Sequence, residues 1–157
     1  VSQCTKLWIQ PRIHNRKNIA MTIKMESVSL EEARRVVAAG EAKADEIGSP
    51  SNIAVVDVGG NLVAHIRMDE AWIGSVDIST SKAFTSRAFD ISTAELAANA
   101  GPGDQFFGIN TSNNGRVMIF AGGVPLRQGD RIVGAVGVSG GSGEQDQTVA
   151  EAAARAF

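Results

Sequence analysis

At 157 residues, 43% apolar and 20% charged with a formal net charge of −2, the chain has the length and composition of one folded domain with a real core. No apolar run reaches the ~20 residues that cross a bilayer, the first residues lack the apolar stretch expected of a secretory signal, and a single cysteine, Cys4, excludes an intrachain disulfide framework. A cytoplasmic protein without a membrane partner is the expectation.

The first twenty residues carry Lys6, Arg12, Arg16 and Lys17 and no acid, which leaves the other 137 with 11 basic against 17 acidic residues, a balance of −6. Residues 1–20 are therefore read as a basic extension, either non-native or an arm that packs on a partner subunit through Leu7, Trp8 and Ile9. Residues 21–157, opening at Met21, are read as a single domain. Its acidity argues against nucleic acid as the principal partner.

Ser29 to Ile47 reads as a helix: Ser29 and Glu32 form an S-x-x-E capping box, apolar residues recur at helical spacing, and Gly48 ends it before Pro50. Ile53 to Val58 and Leu62 to Met68 read as two strands around Gly59-Gly60-Asn61. Alternation in the second strand sets Leu62, Ala64, Ile66 and Met68 against Val63, His65 and Arg67. A helix capped by Ser75 follows and fades near Asp90, with Lys82 among small and apolar neighbours, either reaching into a cavity or snorkelling to water. A shorter helix starts at Ser92, with a capping box to Glu95, and stops at Gly101-Pro102-Gly103.

Twelve of the 17 glycines fall between Gly101 and Gly143, so this half is loop-rich. Gly101 to Gly115 is expected to be irregular and anchored by Phe106 and Phe107. Val117 to Phe120 is expected as a strand, and Val124 to Arg127 as an edge strand because Pro125 cannot donate to a central ladder. Ile132 to Ser139 is apolar on both faces, Ile132, Val136 and Val138 on one and Val133 and Ala135 on the other, and belongs at the sheet's centre. It runs through Gly140-Gly141-Ser142-Gly143 into a final helix capped by Ser142 and Gln145. The free amides of Gly140 to Gly143 suit an anion, or the acids Glu144 and Asp146 of the same turn. Strands arriving mostly as hairpins predict an α+β fold, about five antiparallel strands with flanking helices.

The segments VVDVGGNLVAHIRMDEA, SKAFTSRAF, GPGDQFFGI, IFAGGVPLRQGDRIVGAVGVSGG and EQD, in this order, resemble the GlcG/HbpS-like family, described as haem-binding or haem-degrading. The resemblance covers Met25 to the C-terminus. It implies a profilin-like fold, homo-oligomers from dimers to octamers, occurrence beside glycolate, propanediol or glycerol catabolic operons, and kinship with the C-terminal part of PduO-type corrinoid adenosyltransferases. It also singles out Arg67, Asp69, Lys82, Gly122, Gly123, Pro125, Gly140, Gly141 and Glu144. Family members that ligate haem through histidine or cysteine near the domain start have no counterpart in Met21 to Ser29, which turns attention to His65, to Met25 or Met68, or to an oxygen ligand.

Three readings stand side by side. The first is an accessory protein binding haem or a related tetrapyrrole in an apolar slot that Phe106, Phe107, Trp72 and Met68 would line. The second is binding or turnover of a small carboxylate or phosphate by Arg67 or Lys82 with the Gly140 to Gly143 amides. The third is a structural oligomeric partner of a catabolic enzyme. The sequence has no C-x-x-C, H-x-x-x-H or P-loop, and no metal site is expected. Catalysis stays open, with binding ranked above it.

Overall fold

A computed structural model describes residues 22–157. The basic extension, with Cys4, His14 and Trp8, lies outside the described residues. In chain order come α1 (Leu30–Glu46), β1 (Asn52–Asp57), β2 (Leu62–Arg67), α2 (Ser75–Phe89), α3 (Thr93–Ala97), two 3₁₀ turns (Ile109–Thr111 and Asn113–Gly115), β3 (Gly123–Gln128), β4 (Arg131–Ser139) and α4 (Gly143–Arg155). The strands form one antiparallel sheet in the order β2-β1-β4-β3. The α+β class holds, and β4 is central with β3 at an edge.

Among the described residues the sheet has four strands, not five. Val117 is buried, yet its segment pairs with no strand: the Met118 amide donates to Thr85 Oγ1 at 2.9 Å. A short apolar run signals burial and does not by itself distinguish strand from buried coil.

Helices cover both faces. On one side α1 and α4 pack Val36, Val37, Val149 and Ala153 onto Ile53, Val55, Val136 and Val138. On the other, Ala83 of α2 meets Ala54, Val56 and Ala135, a thin layer of small side chains. Two bulges reset the alternation expected from sequence. Val55 opposes Ala64 and Val56 opposes Leu62, which leaves Val63 as the extra residue. Leu126 opposes Gly134 and Arg127 opposes Ile132, which leaves out Val133. Both valines consequently join the core under α1 and α4, and Val133 does not share the face of Ala135.

Local signals explain most helix ends. Ser29 and Glu32 form the complete capping box of α1. At its other end Ser49 N–H donates to Ala44 O and Gly48 N–H to Asp45 O, 2.9 and 3.1 Å, a Schellman closure in which Gly48 takes φ +63. Ser142 and Gln145 cap α4 in the same way as Ser29 and Glu32 cap α1. At α2 the expectation fails: Gly74 is the N-cap with no side-chain bond, because Ser75 is buried inside the first turn, where its hydroxyl bonds Ser139. Phe106 and Phe107 do not anchor their loop either; they stand 41% and 67% exposed.

Candidate functional site

The sheet-facing stripe of α2 is Ser75, Ser79, Lys82 and Ser86, all buried. Small residues let the helix approach β4 closely enough for the lysine stem to cross the layer. Lys82 neither opens into a cavity nor snorkels, being fully buried. Its Nζ donates to Asp146 Oδ2 at 2.6 Å and to Val138 O at 2.8 Å, and lies 4.6 Å from the centroid of the Phe120 ring.

Asp146 comes from the first turns of α4 and is 3% exposed. Its second oxygen, Oδ1, accepts from the amides of Gly140 and Gly141, both at 3.0 Å. Gly122 and Gly123 close the other side. A Cβ on Gly122 (φ +115) would lie 2.6 Å from Val138 O and 2.8 Å from Lys82 Nζ, and one on Gly123 would lie 2.6 Å from Lys82 O. Five of the sequence candidates, Lys82, Gly122, Gly123, Gly140 and Gly141, therefore converge on Asp146, which the sequence offers as an occupant of the glycine amides but not as the partner of Lys82. Burial pushes the Lys82 ammonium below its ordinary range, and the hydrogen bond and charge of Asp146 oppose that shift.

This arrangement fills its own anion site. The two glycine amides that suited a ligand carboxylate hold the chain's own, and the cation that suited a substrate is paired with the same group. Chemically it is a lock joining α2, α4, the end of β4 and the entry to β3. Gly141→Val tests its rim: a Cβ there would lie 2.5 Å from both Gln145 Oε1 and Ser49 Oγ. The variant should lose about 1–3 kcal/mol, read as a lower melting temperature, and an unchanged Tm would remove the loop's structural role.

Arg67, Asp69 and Glu144 are exposed and form no ion pair among the described residues. Arg67 ends a row across the sheet, opposite Asn52, which is opposite Ser139. Asn52 is fully buried, its Nδ2 donates to Trp72 O at 3.0 Å, and its Oδ1 has no protein partner.

The expectation that the chain has no G-x-S-x-G motif is wrong: Gly137-Val138-Ser139-Gly140-Gly141 is such a string, at a strand-to-helix turn. Ser139 is 5% exposed, donates its hydroxyl to Ser75 Oγ at 3.0 Å, and lacks the positive φ of a nucleophile elbow. It is a packing residue.

His65 lies on the α2 side of the sheet, opposite Ala54, with Nε2 3.4 Å from Ser79 Oγ. Burial lowers its pKa below 6.5, so the imidazole is neutral at neutral pH. Its row neighbours are polar or small, not the wall of a macrocycle slot.

Open apolar surface lies elsewhere. Ile23 is 88% exposed, and Met25, 64% exposed, lines a hollow of about 180 Å³ between the domain start, Val58 and Ile132. A groove of about 400 Å³ runs between α1 and β2. Among the described residues no helix is long and apolar enough to cross a membrane, and no three His, Cys, Asp or Glu side chains gather as a metal site.

Comparison with known proteins gives this geometry a context. The family model described as haem degrading protein HbpS-like matches residues 28–155. An uncharacterized 15.0 kDa protein of the dhaT-dhaS intergenic region of Citrobacter freundii is 41% identical over 131 residues, 83% of this chain and 92% of that one. The crystal structure of Klebsiella pneumoniae protein ORFY superposes with a TM-score of 0.85 at 39% identity, covering 87% of this chain and 94% of that chain. The structure of a PduOC complex with haem gives 0.80 at 30% identity, over 83% of this chain and 95% of that chain.

Proposed function

Because the chain belongs to the HbpS-like family of haem degrading proteins, we propose that it is a cytoplasmic, homo-oligomeric accessory protein that binds haem or a related tetrapyrrole. The observation that carries the reading is the hollow at the domain start. Met25 stands exposed there, Val58 and Ile132 supply an apolar wall, and Lys24 and Arg131 lie on the rim. Arg131 also pairs with Glu26 at 3.1 Å, both groups solvated.

This donor set fits the group. A thioether is a haem ligand, apolar walls take the ring, and cations at the rim take propionate carboxylates. At about 180 Å³ the hollow is below the roughly 300 Å³ of ordinary ligand pockets, so it seats one edge of a macrocycle and a partner subunit completes the slot. Bound haem supplies an iron centre whose potential follows its axial ligand. The protein's own part is to present Met25, hold the propionates and exclude water. The resemblance of the family at its domain start supports this placement over His65.

Haem titration followed at the Soret band tests the reading. Saturable binding is expected in the full chain and in His65→Ala, and its loss in Met25→Ala. No saturable shift in the full chain retires the haem reading. Loss only in a chain starting at Met21 moves the ligand to His14 or Cys4 and overturns Met25.

A further inference from the structure

We propose that the hollow between β3 and the last turns of α4 binds a small monocarboxylate with an apolar body. Lys82 and the Gly140 and Gly141 amides are already occupied by Asp146, so a ligand anion needs other cations. Arg127 of β3 and Arg155 of α4 supply them: both line one hollow of about 310 Å³, together with Val124, Pro125, Glu151 and Ala154. That volume reaches the roughly 300 Å³ of ordinary ligand pockets. Val124 and Ala154 are half-buried and packed on the core, which gives the hollow a fixed apolar floor. Pro125 has no N–H with which to take up another strand there.

Charge on the lining names the ligand. Arg127 and Arg155 are exposed and form no ion pair among the described residues, and residues 1–21 contain neither Asp nor Glu to supply one. Arg127 Nη2 donates to Asp90 O at 3.4 Å, a long contact that engages only one of its five N–H groups. Glu151 stands four residues before Arg155 on α4, the spacing of a helical ion pair, yet its Oε1 accepts from Gln147 Nε2 at 2.9 Å, one turn back. Two arginines against one glutamate leave the lining with a balance of +1, which a single carboxylate cancels and a phosphate dianion exceeds. A carboxylate takes two parallel N–H donors from a guanidinium, and its alkyl chain then lies on Val124, Pro125 and Ala154. The hollow shares no residue with the one at Met25, so the two sites are tested separately.

Butyrate titrated into the haem-free full chain at constant ionic strength, followed by amide NMR, should shift the signals of Val124, Arg127, Glu151 and Arg155 saturably, in the millimolar range expected of so small a ligand. Butyramide, of the same shape without the charge, should leave them in place. Arg127→Gln and Arg155→Gln should each weaken butyrate binding roughly three- to fivefold, with melting temperatures little changed because both side chains are exposed. Arg34→Gln removes an equally unpaired arginine from the groove beside β2 and should leave butyrate affinity unchanged. No saturable shift, equal shifts with butyramide, inorganic phosphate binding as tightly as butyrate, full affinity in either glutamine variant of the hollow, or an equal loss in Arg34→Gln overturns the proposal.

Discussion

Lys82→Ala should unfold with about 3–5 kcal/mol less stability than the wild type, the cost of removing one partner from a buried ion pair. Asp146 Oδ1 would keep its two glycine amides, but Oδ2, on a side chain only 3% exposed, would lose the one side-chain donor it has among the described residues. Asp146→Asn separates charge from shape. An asparagine oxygen can still accept from Gly140 and Gly141, while Lys82 loses both causes that hold its pKa up. Folded Lys82 already titrates below the unfolded value of 10.5. Between the two values the unfolded chain binds more protons, so stability from this group rises with pH. Without Asp146 the window widens downward. The deficit of Asp146→Asn should therefore be largest near pH 7 and shrink toward pH 9.5 in denaturant titrations. An equal deficit at both pH values would mean that Lys82 is not carrying its charge in the fold.

Why the partner of Lys82 was harder to read than its position follows from chain distance. The capping boxes at Ser29 and Ser142 are four-residue signals, and Pro125 marks an edge by itself, so both helices and the edge strand were legible. Asp146 lies 64 residues from Lys82, and no local rule joins them. A trace existed: Asp146 falls on the buried stripe of α4 with Val149, Ala150 and Ala153, as Lys82 does on that of α2. One acid and one base on two apolar stripes is the sequence image of a buried pair. The bulges at Val63 and Val133 left no such trace, because they depend on the register of a neighbouring strand. The Val117 segment was misread for the opposite reason, its apolar character being shared by strand and buried coil.

Gly137→Ala should be among the most damaging single-atom additions to the fold, at about 3 kcal/mol or more, since it combines overpacking with damage to the Lys82 pair. Gly137 sits in β4 opposite Ala54 of β1 and Gly123 of β3. Its missing Cβ would fall on the Ser79 carbonyl and the Ala83 amide of α2, with Ala83 Cβ at 3.0 Å. These are backbone atoms and cannot swing aside, so the helix itself must lift. The layer beneath it is made of Ala54, Val56, Ala83 and Ala135, too small to follow, and lifting α2 draws Lys82 away from Val138 O and Asp146. Gly143→Ala is the matched control: its Cβ would meet only Ala121 Cβ at 3.7 Å, and at the first position of α4 alanine should be neutral or stabilising by up to about 1 kcal/mol. Equal unfolding free energies for the two variants would refute the idea that helix-to-sheet spacing is set at Gly137. Because the lifted helix already breaks the ion pair, Gly137→Ala and Lys82→Ala should not add: the double variant is expected to lose clearly less than the sum of the two single losses. Full additivity would separate the glycine contact from the buried pair and leave each to be explained alone.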